Sequence, residues 1–101
     1  MKILAISQRC NGATDAKIEA KLRDETSQIW RLYVDGFIRE WYDRKDKPEA
    51  VLVLESPTVD TARAILDELA LVRAGLIEFD LIPLIPCRSL ETLMQTQGQE
   101  L

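Results

Sequence analysis

The chain contains no histidine among its 101 residues. That removes the commonest general base and metal ligand, and with them every Ser-His or Cys-His nucleophile one chain could assemble. Cysteine is scarce: Cys10 and Cys87 are far apart and form no metal-spaced pair. No metal and no cofactor are expected. No apolar run approaches the roughly 20 residues of a membrane span. Met1-Lys2 leads straight into a strand pattern, with no signal-peptide apolar region. The expected location is the cytoplasm, where thiols stay reduced, and no membrane partner is expected. An excess of basic residues is also lacking: 13 Lys and Arg stand against 17 Asp and Glu, for a net charge of −4. Nucleic-acid binding draws its affinity from clustered Lys and Arg, so no nucleic-acid partner is expected. The one dense charge cluster, Asp43-Arg44-Lys45-Asp46-Lys47, mixes both signs and reads as a solvated turn.

What is present fits a folded domain. Hydrophobic residues make up 47% of the chain and charged residues 30%. A domain of this length buries roughly two-thirds of its unfolded surface, which makes an adequate but thin core. Residues 1–87 read as one α+β domain and residues 88–101 as a tail.

The strand patterns are apolar on both sides. Lys2-Ile3-Leu4-Ala5-Ile6, Ala50-Val51-Leu52-Val53-Leu54 and Leu81-Ile82-Pro83-Leu84-Ile85 lack the in/out polarity of a half-solvated sheet. Between them, Cys10-Asn11-Gly12 breaks the first strand and Thr14 is placed to cap a helix from about Asp15 to Asp35. Ile18, Leu22, Ile29, Tyr33 and Phe37 supply its apolar face, widened by Trp30 and Val34. Lys17, Glu19, Lys21, Arg23, Asp24 and Glu25 supply the wet side. Gly36 ends it. Ile38 to Asp43 reads as a strand with Ile38, Glu40 and Tyr42 on one side and Arg39, Trp41 and Asp43 on the other. A polar turn at 45–49 joins it to Ala50–Glu55 as a hairpin.

A second helix opens at Ser56-Pro57-Thr58, capped by Ser56 with Pro57 at the first helical position, or by Thr58. Val59, Ala62, Ile65, Leu66 and Leu69 are its buried stripe. Ile77 to Ile82 is the last strand, which ends at Pro83 or continues as an edge. In the tail, Ser89–Met94 has the pattern of one or two helical turns, and Gln95–Leu101 reads as polar and frayed.

The order β-α-β-β-α-β gives a ferredoxin-like fold, a four-stranded antiparallel sheet with two helices on one face. Its spatial strand order is fourth, first, third, second. Cys10 and Cys87 then fall at opposite ends of the sheet, too far apart for a disulfide. The second, apolar face needs a cover, which a face-to-face homodimer provides.

Against this frame the chain resembles the dimeric α+β barrel superfamily. From Val53 to Cys87 it is similar to the muconolactone isomerase-like group. The carrying residues are Leu54-Glu55-Ser56-Pro57-Thr58-Val59, then Ala62, Ile65-Leu66, Leu69 and the segment Leu71 to Leu84. The resemblance implies dimers joined through the sheet faces, some assembling further, and small organic ligands, often cyclic or aromatic. Relatives across the superfamily often use a histidine or a His-Asp pair, which this chain lacks.

An isomerase that shifts a double bond beside a carbonyl needs a base and a group to hold the enolate oxygen. Without histidine, the catalytic candidates are Asp80 and Glu78, which share one face of the last strand, where mutual repulsion would raise one pKa. Arg39 and Trp41 are candidates to bind a carboxylate and stack a flat ring, with Tyr33, Tyr42 and Ser7 as further polar groups. Each has a plainer reading. Glu78, Asp80 and Arg39 fit an interface salt bridge, the aromatics fit core or interface packing, and the cysteines fit small apolar fillers. The functional readings are a small-molecule, isomerase-like protein acting on a cyclic carboxylated compound and a non-catalytic binding or assembly module. A third is a partner-docking protein using Leu90, Leu93 and Met94.

Overall fold

The computed structural model describes residues 1–100, with side chains described through residue 95. The aliphatic N-terminal run forms β1 (Lys2–Arg9). Thr14 caps α1 (Asp15–Val34), its Oγ1 accepting the Lys17 N–H at 3.2 Å. Gly36, at φ +86°, turns the chain into β2 (Ile38–Asp43), a conformation only glycine adopts without strain. β3 (Ala50–Glu55) follows the polar hairpin. Thr58 and not Ser56 caps α2 (Val59–Leu66): Thr58 Oγ1 accepts the Thr61 N–H at 3.0 Å, while Ser56 Oγ donates to the Thr58 carbonyl. A short α3 (Ala70–Arg73), then β4 (Ile77–Leu84) and α4 (Arg88–Glu100), complete the described chain.

The sheet order is β2-β3-β1-β4 with every neighbouring pair antiparallel, as the sequence order requires. One face carries Ile3, Ala5, Leu52, Leu54, Ile77, Phe79 and Ile38, all buried under Ile29 of α1 and Ala62, Leu66, Leu69 and Leu71 of the α2–α3 segment. The opposite face has no covering element among the described residues. Its central row pairs Val53 with Leu4 and Leu4 with Ile82; the next pairs Val51 with Ile6 and Ile6 with Asp80. The free cysteines, Cys10 and Cys87, follow opposite ends of antiparallel neighbours β1 and β4.

Four local expectations are corrected. The second helix is broken after Leu66. Leu66, Leu69 and Leu71 are all buried, and positions 69 and 71 would point to opposite sides of an unbroken helix. The break lets both turn inward. Second, a bulge between Ile38 and Glu40 resets β2. Trp41 pairs with Leu52, on the helix side with Ile38, while Glu40 and Tyr42 pair with Val53 and Val51 on the open face.

Third, α1 buries a different stripe. Ile29 and Glu25 are buried and Ile18 and Leu32 half-buried, whereas Leu22, Tyr33, Trp30 and Val34 are exposed. Glu25, expected on the wet side, is 3% exposed. Fourth, the tail helix is 13 residues long and not one or two turns. Its Leu, Glu, Met and Gln residues have good helix propensity. Leu101 lies outside the described residues. Of its two expected courses the last strand takes the second, continuing as an edge through Pro83 to Leu84, where β4 needs no donor on its outer side.

Candidate functional site

A cleft of about 530 Å³ opens between α1 and the end of the sheet where β1 finishes and the β2–β3 hairpin turns. Its walls are mostly apolar: Ile18, Leu22 and Ile29 from α1, Ile77 and Phe79 from β4, Leu71 from α3, and Trp41 from β2. Its polar groups are Ser7, Arg9, Glu25 and Thr26, with the charges Asp43, Arg44, Lys47 and Glu49 of the β2–β3 hairpin around them.

Glu25 is held by the fold. Its spacing from Ile18, Leu22 and Ile29 puts it within the helical stripe that faces the sheet. Its Oε1 accepts the Leu71 N–H at 3.1 Å. Three residues on, Gln28 spans the same break, with Oε1 accepting from Ala70 N at 2.7 Å and Nε2 donating to the Glu68 carbonyl at 3.1 Å. Side chains of α1 thus satisfy backbone groups freed where α2 gives way to α3. Burial pushes the Glu25 carboxyl above its usual pKa, and the Leu71 N–H offsets part of that rise. A carboxyl in this condition exchanges a proton nearer neutrality than an exposed one.

Arg9 ends β1 beside the cleft. Its Nη1 pairs with Asp15 at 2.5 Å, and its Nε is buried with no hydrogen-bond partner. A buried, unsatisfied guanidinium N–H is costly to leave unmade, and an anionic oxygen would satisfy it. Ser7 Oγ accepts the Ala50 N–H at 2.8 Å, which leaves its hydroxyl proton available to donate. In the hairpin, Arg44 grips Asp46 through Nε at 2.9 Å and Nη2 at 2.6 Å, and reaches Glu49 at 3.0 Å. That grip holds the Asp46 carboxyl below its usual range.

The sequence candidates fall in separate places. Ser7 and Trp41 line the cleft. Tyr33 lies on the outside of α1, its ring stacked on Trp30 with centroids 5.7 Å apart. Arg39 donates from Nε to the Gly36 carbonyl at 2.7 Å and lines a shallow groove with Trp30, Tyr33 and Tyr42. Tyr42 donates its hydroxyl to Glu40 at 2.8 Å. Glu78 and Asp80 are exposed on the open sheet face, opposite Gln8 and Ile6 of β1. Glu25 and Arg9 were not among the sequence candidates. The signal for Glu25 was a lone carboxylate inside an apolar stripe; Arg9 gave none, since a charged strand end is ordinary.

The arrangement is an apolar-walled box with a buried carboxyl, an unsatisfied guanidinium donor, a hydroxyl and an indole wall, bordered by the hairpin charges Asp43, Arg44, Lys47 and Glu49. Among the described residues no cluster of three or more potential metal-ligating side chains occurs, and no helix is long and apolar enough to cross a membrane.

No protein-family model and no curated protein sequence matches the chain. Solved structures do. Muconolactone isomerase superposes with a TM-score of 0.64 at 22% identity, over 85% of this chain and 92% of that one. The 5-chloro-2-hydroxyhydroquinone dehydrochlorinase of Burkholderia phenoliruptrix, solved in complex with 2,5-dihydroxybenzoquinone, superposes with a TM-score of 0.63 at 13% identity, over 88% and 98%. The chain therefore shares its ferredoxin-like α+β fold with these two proteins, and at these identities the likeness is one of fold.

Proposed function

We propose that the chain is a cytoplasmic, homodimeric protein that binds a small cyclic organic molecule in the cleft under α1 and shifts a proton on it. The reading rests on one observation above the others: Glu25, a buried carboxyl with a raised pKa, shares a cleft with the buried, unpartnered Nε of Arg9. In an isomerase-like step, the Glu25 carboxylate would take a proton from carbon beside a carbonyl. The C–H electron pair moves into the new double bond and the carbonyl pair onto oxygen. Arg9 and Ser7 would hold that oxygen. Glu25 would then return the proton further along the conjugated system, and the enzyme ends as it began. Trp41 offers a flat wall for the ring. No metal, cofactor or histidine is required.

The open sheet face supports the homodimer. Leu4, Ile6, Val51 and Val53 form a contiguous apolar patch flanked by Ile82 and Leu84. Pairing two such faces removes it from water at roughly 25 cal/mol per Å² before association costs.

A second reading places the chemistry at that seam, with Asp80 and Glu78 as the carboxylates. What favours it is their shared position on the face two copies would bury. Isomerisation of muconolactone, followed by deuterium incorporation from solvent in NMR, separates the readings. Glu25→Gln should reduce exchange at least a hundredfold while Asp80→Asn leaves it within threefold. The reverse result moves the site to the seam. Exchange by neither wild type nor variants, with 2,5-dihydroxybenzoquinone still quenching Trp41 fluorescence, assigns a binding module without chemistry.

A further inference from the structure

Two apolar surfaces remain unpartnered within the chain. One belongs to α4 and its lead-in, where Ile85, Leu90, Leu93 and Met94 are all more than half exposed. Leu90, Leu93 and Met94 stand at i, i+3 and i+4, so they form one stripe. The helix stands off the body: the molecule is 62 Å long, against the roughly 26 Å that eight-residue strands span. The other surface is the shallow groove of about 370 Å³ at the β2 edge, built from Trp30, Tyr33 and Tyr42 with Arg39 and Glu40 beside them.

The topology relates the two. Residue pairing sets Leu84 beside Lys2, Lys2 beside Glu55, and Leu54 beside Ile38. The root of α4 and the start of β2 are thus at one end of the sheet, on its opposite edges. The last turns of α1, which carry Trp30 and Tyr33, lead into β2 at that end. Open faces joined about a two-fold axis along the strands would lay β4 of each copy over β2 of the other, ends in step. The α4 of one copy then arrives at the aromatic groove of its partner.

We infer that α4 is an exchange arm, seating Leu90, Leu93 and Met94 in the Trp30–Tyr33–Tyr42 groove of a second copy of this chain. The chemistry of the surfaces matches. Trp and Tyr are the residues on which interface energy concentrates, and a Met thioether packs well on aromatic rings. Charges match in both senses, since the arm carries Arg88 and Glu91 and the groove Glu40 and Arg39. Exposed apolar side chains also recur along the chain from the open face into the arm, at Ile82, Leu84 and Ile85 and again at Leu90, Leu93 and Met94.

This inference rests on the homodimer proposed above, and its test distinguishes the two. Leu93→Cys is combined with Tyr33→Cys in a Cys10→Ser, Cys87→Ser chain, which is oxidised at low concentration. A disulfide-linked dimer on a non-reducing gel is expected. Separately, Leu90→Glu with Leu93→Glu should weaken the dimer at least tenfold in sedimentation and shift the Trp30 emission to the red. An intrachain disulfide would show the arm folding back on its own copy and would overturn the inference. So would the absence of a link in a chain that still sediments as a dimer, and the dimer reading would survive both. A wild-type chain that is monomeric at every concentration overturns both.

Discussion

The Glu25 carboxylate accepts the backbone N–H of Leu71 at 3.1 Å, across 46 positions of sequence. One contact joins the long helix, the break between α2 and α3, and the cleft. It explains why a charged residue can occupy a buried stripe: it completes the hydrogen bonding of a backbone that had to interrupt a helix.

Its burial makes a prediction about pH. The folded-state pKa of Glu25 is raised above the ordinary 4.5 by desolvation. Below that value the group is protonated whether folded or unfolded, and its contribution to stability is fully present. As pH rises through the folded pKa, the unfolded chain has already released its proton, and that contribution is lost. Glu25→Gln keeps an acceptor for Leu71 and removes the titration. Thermal unfolding should show the variant melting a few degrees higher than wild type at pH 7, the two converging below pH 4.5.

Gln28 makes the other two bonds to the break. Gln28→Ala should cost about 1–2 kcal/mol in urea unfolding, because it strands the Ala70 N–H and the Glu68 carbonyl. A change below about 0.3 kcal/mol would show that water replaces the amide there.

Arg9→Met keeps an unbranched apolar stem and deletes the guanidinium. On the proposed reading of the cleft, affinity for the probe 2,5-dihydroxybenzoquinone, read by fluorescence titration, should fall at least tenfold, or about 1.4 kcal/mol. The Asp15 pair lost at the same time is mostly exposed on the Asp15 side and worth at most about 1 kcal/mol of stability.

Val51→Glu places a charge in the centre of the open sheet face, beside Ile6 and Tyr42. On the proposed face-to-face dimer, sedimentation should give a dimer for the wild type and a folded monomer for the variant, with far-UV circular dichroism unchanged. A variant that remains dimeric would show that another surface joins the copies.

Much of the fold was legible because its signals are local. Thr14 precedes α1 as a cap, and the 2.0-residue and 3.6-residue patterns separate β1, β3 and β4 from the helices. Chain order with right-handed crossovers then leaves one strand order. The site was less legible. Ser7 and Trp41 reached the cleft, but Trp41 did so through a bulge that alternation does not foresee. Glu25 was hidden among neighbouring charges at Arg23 and Asp24, and only its place between Leu22 and Ile29 set it apart.

The sequence by itself determined the order of elements, the antiparallel sheet and the surplus of apolar faces, because periodicity and chain connectivity act over short distances. Only the tertiary structure decided which of those faces the helices cover, where the second helix breaks and which charges are buried. Those outcomes depend on contacts such as Glu25 with Leu71 and Gln28 with Ala70, formed between residues more than forty positions apart. A backbone group left without a partner at the helix break can be satisfied only by what packs against it, and that is a property of the assembled core.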